Sequence, residues 1–102
     1  MENSNKPIIK HIPDFLDYCE VEKGLRDNTQ KNYQQYLNKF VRWLKARNLE
    51  GLLPHQLTSD QIWEYRLYLS RDISPKTRQT LKKGTQNYYL IALRAFLGYF
   101  VA

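Results

Sequence analysis

Two short stretches carry the polar groups best suited to chemistry. One is Asn28-Thr29 followed by Lys31; the other is the run Lys82-Lys83-Gly84-Thr85-Gln86-Asn87. Each precedes apolar residues at helical spacing, so each reads as a helix beginning. The first turn of a helix leaves backbone N–H groups without intrahelical acceptors, and the aligned peptide dipoles make that end electropositive. Hydroxyl, amide and ammonium groups gathered there bind anions, phosphate above all. Residues in the next turn can then reach base edges in a major groove. This chemistry is recognition of a polyanion, and catalysis finds no comparable set. His11 and His55, the only histidines, lack a metal-ligand partner at a recognisable spacing, and one cysteine cannot build a zinc site. There is no glycine-rich phosphate loop. The eight tyrosines mostly fall on helix stripes, with no base or oxyanion stabiliser beside them. No catalytic residue, metal or cofactor is expected.

The helix that positions the first stretch is the most strongly patterned part of the chain. At 100° per residue, Tyr33, Tyr36, Leu37, Phe40, Val41, Trp43 and Leu44 fall within an arc of roughly 160°. Lys31, Gln35, Asn38, Lys39, Arg42 and Lys45 fall opposite. The pattern is an amphipathic helix from residue 27 to about 47, aromatic inside and basic outside. Asp27 is the expected cap, with Gln30 three residues later to answer it.

The other elements follow from similar signals. Residues 1–11 form a flexible leader, polar through Lys6. Residues 13–23 form a first helix, with Ile8, Ile12, Phe15, Leu16 and Cys19 on one side. Pro13 suits its first turn and Gly24 its left-handed stop, with Leu25 folding back as in a Schellman cap. Cys19 lies on the apolar stripe as a small buried hydrophobe. A turn at 48–54 contains Gly51 and Pro54. Leu57-Thr58-Ser59-Asp60-Gln61-Ile62 then opens a third helix with a Thr58 cap, Gln61 at its third position and a Leu57–Ile62 staple. That helix runs to about 70 and carries two stripes, Ile62/Tyr65/Leu69 and Trp63/Leu67. Two stripes mean packing on two sides, or one side reserved for a partner.

The connection 71–84 holds Arg71, Lys76, Arg78, Lys82 and Lys83 against the single acid Asp72. Ser74-Pro75 could start a short helical turn there and Gly84 end it. A solvated loop and an arm laid along a phosphate backbone both fit its composition. A fourth helix runs over 85–101, with Thr85 as cap and Tyr89, Leu93, Phe96, Leu97 and Phe100 as its main stripe. Ala92, Ala95 and Tyr99 widen the apolar surface. The chain stops soon after, without a polar tail, and reads as cut from something longer. Strand signals, internal repeats and low-complexity segments are not expected, so the fold class is all-α, a compact four-helix bundle over residues 12–102.

Composition sets the bounds. A chain of 102 residues makes one domain with a modest core, and 42% hydrophobic and 14% aromatic content argue for a folded globule. The formal charge of +6 favours an anionic partner, with nucleic acid first and a membrane surface second. A single cysteine excludes an internal disulfide and fits a reducing cytosol. The N-terminus lacks the apolar region of a signal peptide, and Arg94 interrupts the longest apolar run, so no membrane span is expected.

The ordered set FLDYCEVEKGL, NTxxxYxxxLxxFxxWL, LTSDQIWEYRLYL and TxNxxLxALRAFLGYF resembles the N-terminal core-binding domain of tyrosine recombinases. This is the SAM-like domain of phage integrases and Xer-type recombinases, and the resemblance covers about residues 12–100. It implies a bundle that grips one face of double-stranded DNA while a C-terminal catalytic domain grips the other. The second and fourth helices would supply most contacts. By position these fall on Asn28, Thr29, Lys31, Asn32 and Gln35, and on Lys83, Thr85, Gln86, Asn87 and Tyr88, with Lys82 adjoining. The resemblance further implies three partners: DNA, the chain's own catalytic domain, and other recombinase protomers on DNA. The fragment alone would be a cytoplasmic monomer of bacterial, archaeal or phage origin. The family's catalytic Arg, Lys, His and Tyr belong to the second domain and have no counterpart here. Arg94 matches the family's frequent Leu-Arg-x-Phe. Two departures stand out: Arg26 replaces a frequent Ser, and the 71–84 connection exceeds the usual short Ser-Pro-x-Thr linker. Two rivals are a helix-turn-helix regulator, for which the connections are too long, and a helical protein-interaction module using the Trp63/Leu67 side or the end of the fourth helix.

Overall fold

A computed structural model describes residues 5–73 and 77–100. Four α-helices form the domain: α1 (Ile12–Lys23), α2 (Asp27–Ala46), α3 (Ser59–Arg71) and α4 (Lys83–Tyr99), with short 3-10 turns at Ile8–His11 and Pro54–Gln56. There is no strand among the described residues; an isolated antiparallel bridge joins Ile73 to Thr80. No helix among the described residues is long and apolar enough to cross a membrane.

The helix boundaries follow local chemistry. Gly24 sits at φ +61°, the left-handed conformation that glycine adopts without a Cβ penalty. The Gly24 and Leu25 amides both donate to the Cys19 carbonyl, a wider closure than a Schellman cap. The capping box at α3 forms as the sequence predicts: Thr58 Oγ1 accepts from the Gln61 amide at 3.1 Å, and Gln61 Oε1 accepts from the Thr58 amide at 2.9 Å. The globule begins ahead of Ile12, because the turn before α1 is docked. Ile8 is fully buried and its amide donates to the Leu52 carbonyl at 2.7 Å.

Phe15, Leu37, Phe40, Leu44, Tyr65, Leu69 and Phe96 fill the centre. Each such side chain contributes roughly 1.5–3 kcal/mol by leaving water. Phe40 meets Tyr65 edge-on at 5.0 Å, and Phe15 meets Phe96 at 5.3 Å, so the rings of all four helices interlock. The Trp63/Leu67 stripe is the one left outside: Trp63 is 55% exposed.

Five sequence expectations change. The α2 cap position is Arg26, in extended conformation, and Asp27 is the first helical residue. The Gln30 side chain reaches past the cap to the Leu25 carbonyl at 3.0 Å, so it does not answer Asp27. At α4 the cap position is Lys82 and not Thr85, and Gly84 lies inside the first turn instead of ending a preceding one. Lys39, expected on the basic outer face, is buried. It pairs with Asp72 and lies 5.3 Å from the Tyr68 ring centre and 5.7 Å from that of Tyr89. Its long stem fits among aromatic rings, and a carboxylate plus two ring faces replace the water its ammonium loses. The expected helical turn at Ser74-Pro75 lies outside the described residues.

Candidate nucleic-acid interface

The starts of α2 and α4 are built alike. Each follows a half-buried leucine, Leu25 or Leu81, and a basic residue in extended conformation, Arg26 or Lys82. Each has threonine at its third helical position, Thr29 or Thr85. Each has glutamine at the fourth, whose side-chain amide donates back to the leucine carbonyl: Gln30 to Leu25 at 3.0 Å, Gln86 to Leu81 at 2.8 Å. The first intrahelical bonds are Gln30 N–H to the Arg26 carbonyl and Gln86 N–H to the Lys82 carbonyl. The underlying pattern, Leu-basic-x-x-Thr-Gln, stands twice in the chain as LRDNTQ and LKKGTQ. The expectation of no internal repeat therefore misses a six-residue signature, one that two copies set side by side reveal. The same comparison adds Arg26, the counterpart of Lys82, which was absent from the predicted contacts.

The two starts differ from α3 in a way that matters chemically. At α3 a capping box covers the end, whereas no side chain caps α2 or α4. The amides of the first turns of α2 and α4 therefore point outward for an acceptor from elsewhere. Around them, Arg26, Asn28, Lys31, Asn32 and Gln35 are exposed on α2, and Lys82, Lys83, Asn87 and Tyr88 on α4. Thr29, Thr85 and Gln86 are half-buried. Arg26, Asp27 and Asn28 line a shallow surface depression. Asp27 tempers the α2 start, while α4 has no acid in its first turn.

Packing brings the two helices together. Tyr36 of α2 stacks on Tyr88 of α4 with ring centres 6.1 Å apart and 10° between planes, and meets Tyr89 edge-on at 5.1 Å. At 1.5 Å per residue, Thr29 lies ~10 Å and Thr85 ~5 Å from that stack along their axes. Both starts thus flank one junction of a globule whose longest extent is 41 Å. The connection leading into α4 is held as well. Lys39 grips Asp72, the Ile73–Thr80 bridge closes the base of the loop, and exposed Arg78 sits at φ +55°. Lys76 lies outside the described residues. Arg94 is exposed on α4.

Other chemistry is sparse. No group of His, Cys, Asp and Glu among the described residues could hold a metal ion. Burial pushes the Cys19 thiol up, which disfavours the reactive thiolate. His11 packs edge-on against Phe100 at 5.0 Å, in the core rather than in a cleft.

Four helices, two of them opening on uncapped cationic turns, define an all-α domain of the SAM-like bundle class. Residues 12–98 match the N-terminal SAM-like domain of phage integrases, and the chain belongs to that family. Among named proteins it is similar to the tyrosine recombinase XerD of Pseudomonas aeruginosa, with 31% identity over 85 residues, 81% of this chain and 27% of that protein. It is also similar to the tyrosine recombinase XerD of Lacticaseibacillus casei, with 52% identity over 33 residues, 32% of this chain and 11% of that protein. The chain thus spans about a quarter of the first relative's length and about a tenth of the second's. No solved structure matches.

Proposed function

We propose that this domain holds duplex DNA for strand exchange by a catalytic domain of a tyrosine recombinase. The first turns of α2 and α4 bind phosphates on either side of a groove. Asn28, Thr29, Lys31, Asn32 and Gln35 act from α2, and Lys82, Lys83, Thr85, Gln86, Asn87 and Tyr88 from α4. Gln86 serves mainly as a brace for its helix start, since its amide is engaged with Leu81. The domain contributes grip and register and performs no chemistry itself. Its partners are DNA, a catalytic domain in the same polypeptide and neighbouring protomers on DNA, in the cytoplasm.

The observation that supports this reading best is the pair of like-built helix starts at α2 and α4, each without a side-chain cap and each following an exposed basic residue. An N-cap side chain typically contributes ~1 kcal/mol. The chain has one at α3 and none at α1, α2 or α4; α1 opens on Pro13 and Asp14, whereas α2 and α4 open on the exposed basic residues Arg26 and Lys82. Donors left open beside Lys31 and Lys83 suit phosphate oxygens. Chemical-shift mapping with duplex DNA tests the assignment. Shifts clustered at Thr29 and Thr85 are expected. Shifts confined to the end of α4 around Phe100, with both threonines silent, would reject it in favour of a protein-interaction module.

A further inference from the structure

We propose that α3 supplies a third DNA contact, in which Arg66 takes a backbone phosphate and Trp63 packs on the adjoining deoxyribose. The inference rests on the DNA-binding reading above and extends it to a helix that reading does not use. Trp63 is 55% exposed, an unusual position for the largest apolar side chain. The Arg66 guanidinium lies over its ring at 5.4 Å, so the fork is oriented before any ligand arrives. Among the described residues no carboxylate pairs with Arg66; the ion pairs there are Lys6–Asp14, Lys39–Asp72 and Arg47–Glu64.

Trp63, Arg66, Leu67 and Ser70 line one wall of a groove whose other wall is Gln86 and Leu90 of α4. Gln86 is the residue that braces the α4 start, so the groove opens beside the proposed phosphate site. Charge selects the occupant. From residue 65 to the end, the sequence has seven basic residues (Arg66, Arg71, Lys76, Arg78, Lys82, Lys83, Arg94) and one acid, Asp72. Lys39 already neutralises that acid. On α3 itself Asp60 lies one turn before Trp63 and Glu64 directly after it, the latter paired with Arg47 at 2.7 Å. A polyanion running past the α4 start meets Arg66 next, whereas a protein segment entering here would need acidic side chains of its own.

Fluorescence titration of duplex DNA over a range of salt concentrations tests this, using the two tryptophans as reporters. Trp43 is buried and Trp63 exposed, so acrylamide quenches mainly Trp63. Saturating DNA is expected to remove that quenchable component. Arg66→Ala should weaken binding by about three- to ten-fold at low salt and make the log K–log salt slope shallower by about 0.9. Trp63→Ala should weaken binding with the slope unchanged, since it removes no charge. Arg66→Lys should restore the slope without the full affinity, because an ammonium lacks the planar stacking face. Lys23→Ala, on α1, controls for net charge and should leave the slope alone; circular dichroism confirms that each variant folds. A slope for Arg66→Ala equal to that of the unsubstituted chain overturns the proposal while leaving the α2/α4 reading intact. So does a Trp63 that stays quenchable in the saturated complex, which would leave the groove to a protein. Failure of the unsubstituted chain to bind DNA overturns both.

Discussion

Tyr65 presents the sharpest residue-scale question. It is fully buried among Phe40, Trp43 and Tyr68, yet its hydroxyl has no hydrogen-bond partner among the described residues. Burial drives its pKa far up, so it stays a neutral phenol. A buried, unmatched hydroxyl costs stability, on the order of 1–3 kcal/mol. Tyr65→Phe is therefore expected to leave the domain as stable or more stable by ~1 kcal/mol in urea unfolding. A loss above ~1 kcal/mol would mean that the hydroxyl is bonded. His11 sets a pH dependence. Burial lowers its pKa and the Lys6 charge pushes the same way, outweighing a hydrogen bond with the Lys6 backbone and the charge of Asp14, which both raise it. The folded state thus holds a neutral ring while the unfolded chain protonates near 6.5. Unfolded chains take up the proton first as pH falls, so the folding free energy should decline below about pH 6.5 and be flat above it. His11→Gln should remove that decline; an unchanged profile would assign the titration to other groups.

At the scale of elements, the contrast between sealed and open helix starts separates the capping threonine from the two proposed as phosphate contacts. Thr58→Ala breaks the α3 capping box and should cost ~1 kcal/mol in urea unfolding. Thr29→Ala and Thr85→Ala break no cap and should cost under about 0.5 kcal/mol, while weakening DNA binding. The opposite ranking would mean that α2 and α4 use those hydroxyls for themselves. The sequence made α3 legible because Thr58 and Gln61 are a reciprocal pair, complete within four residues. The α2 and α4 starts were each misplaced by one to three positions, because their bracing glutamines ignore the cap and reach for carbonyls five residues back. Lys39 illustrates a different limit. Helical spacing assigns a lysine to the wet face, but the cage of Asp72, Tyr68 and Tyr89 comes from α3, the residue that ends it and α4, and local periodicity carries no information about them. The candidate contact residues were legible from helix-start chemistry and resemblance, and the twofold Leu-basic-x-x-Thr-Gln pattern would have located both openings correctly.

The whole molecule is electrically lopsided. Four of its ten acids, Asp14, Asp17, Glu20 and Glu22, sit on α1, whereas α4 carries no acid at all. On the proposed reading, this uneven charge speeds encounter with a polyanion at low salt. The salt dependence of duplex binding by this domain is the most direct test of the proposed DNA grip. With about five phosphates neutralised, log K should fall against log salt with a slope of roughly −4 to −5, and Lys31→Ala and Lys83→Ala should each flatten it by about one. Absence of binding at the lowest salt, or a slope indifferent to both lysines, would contradict it.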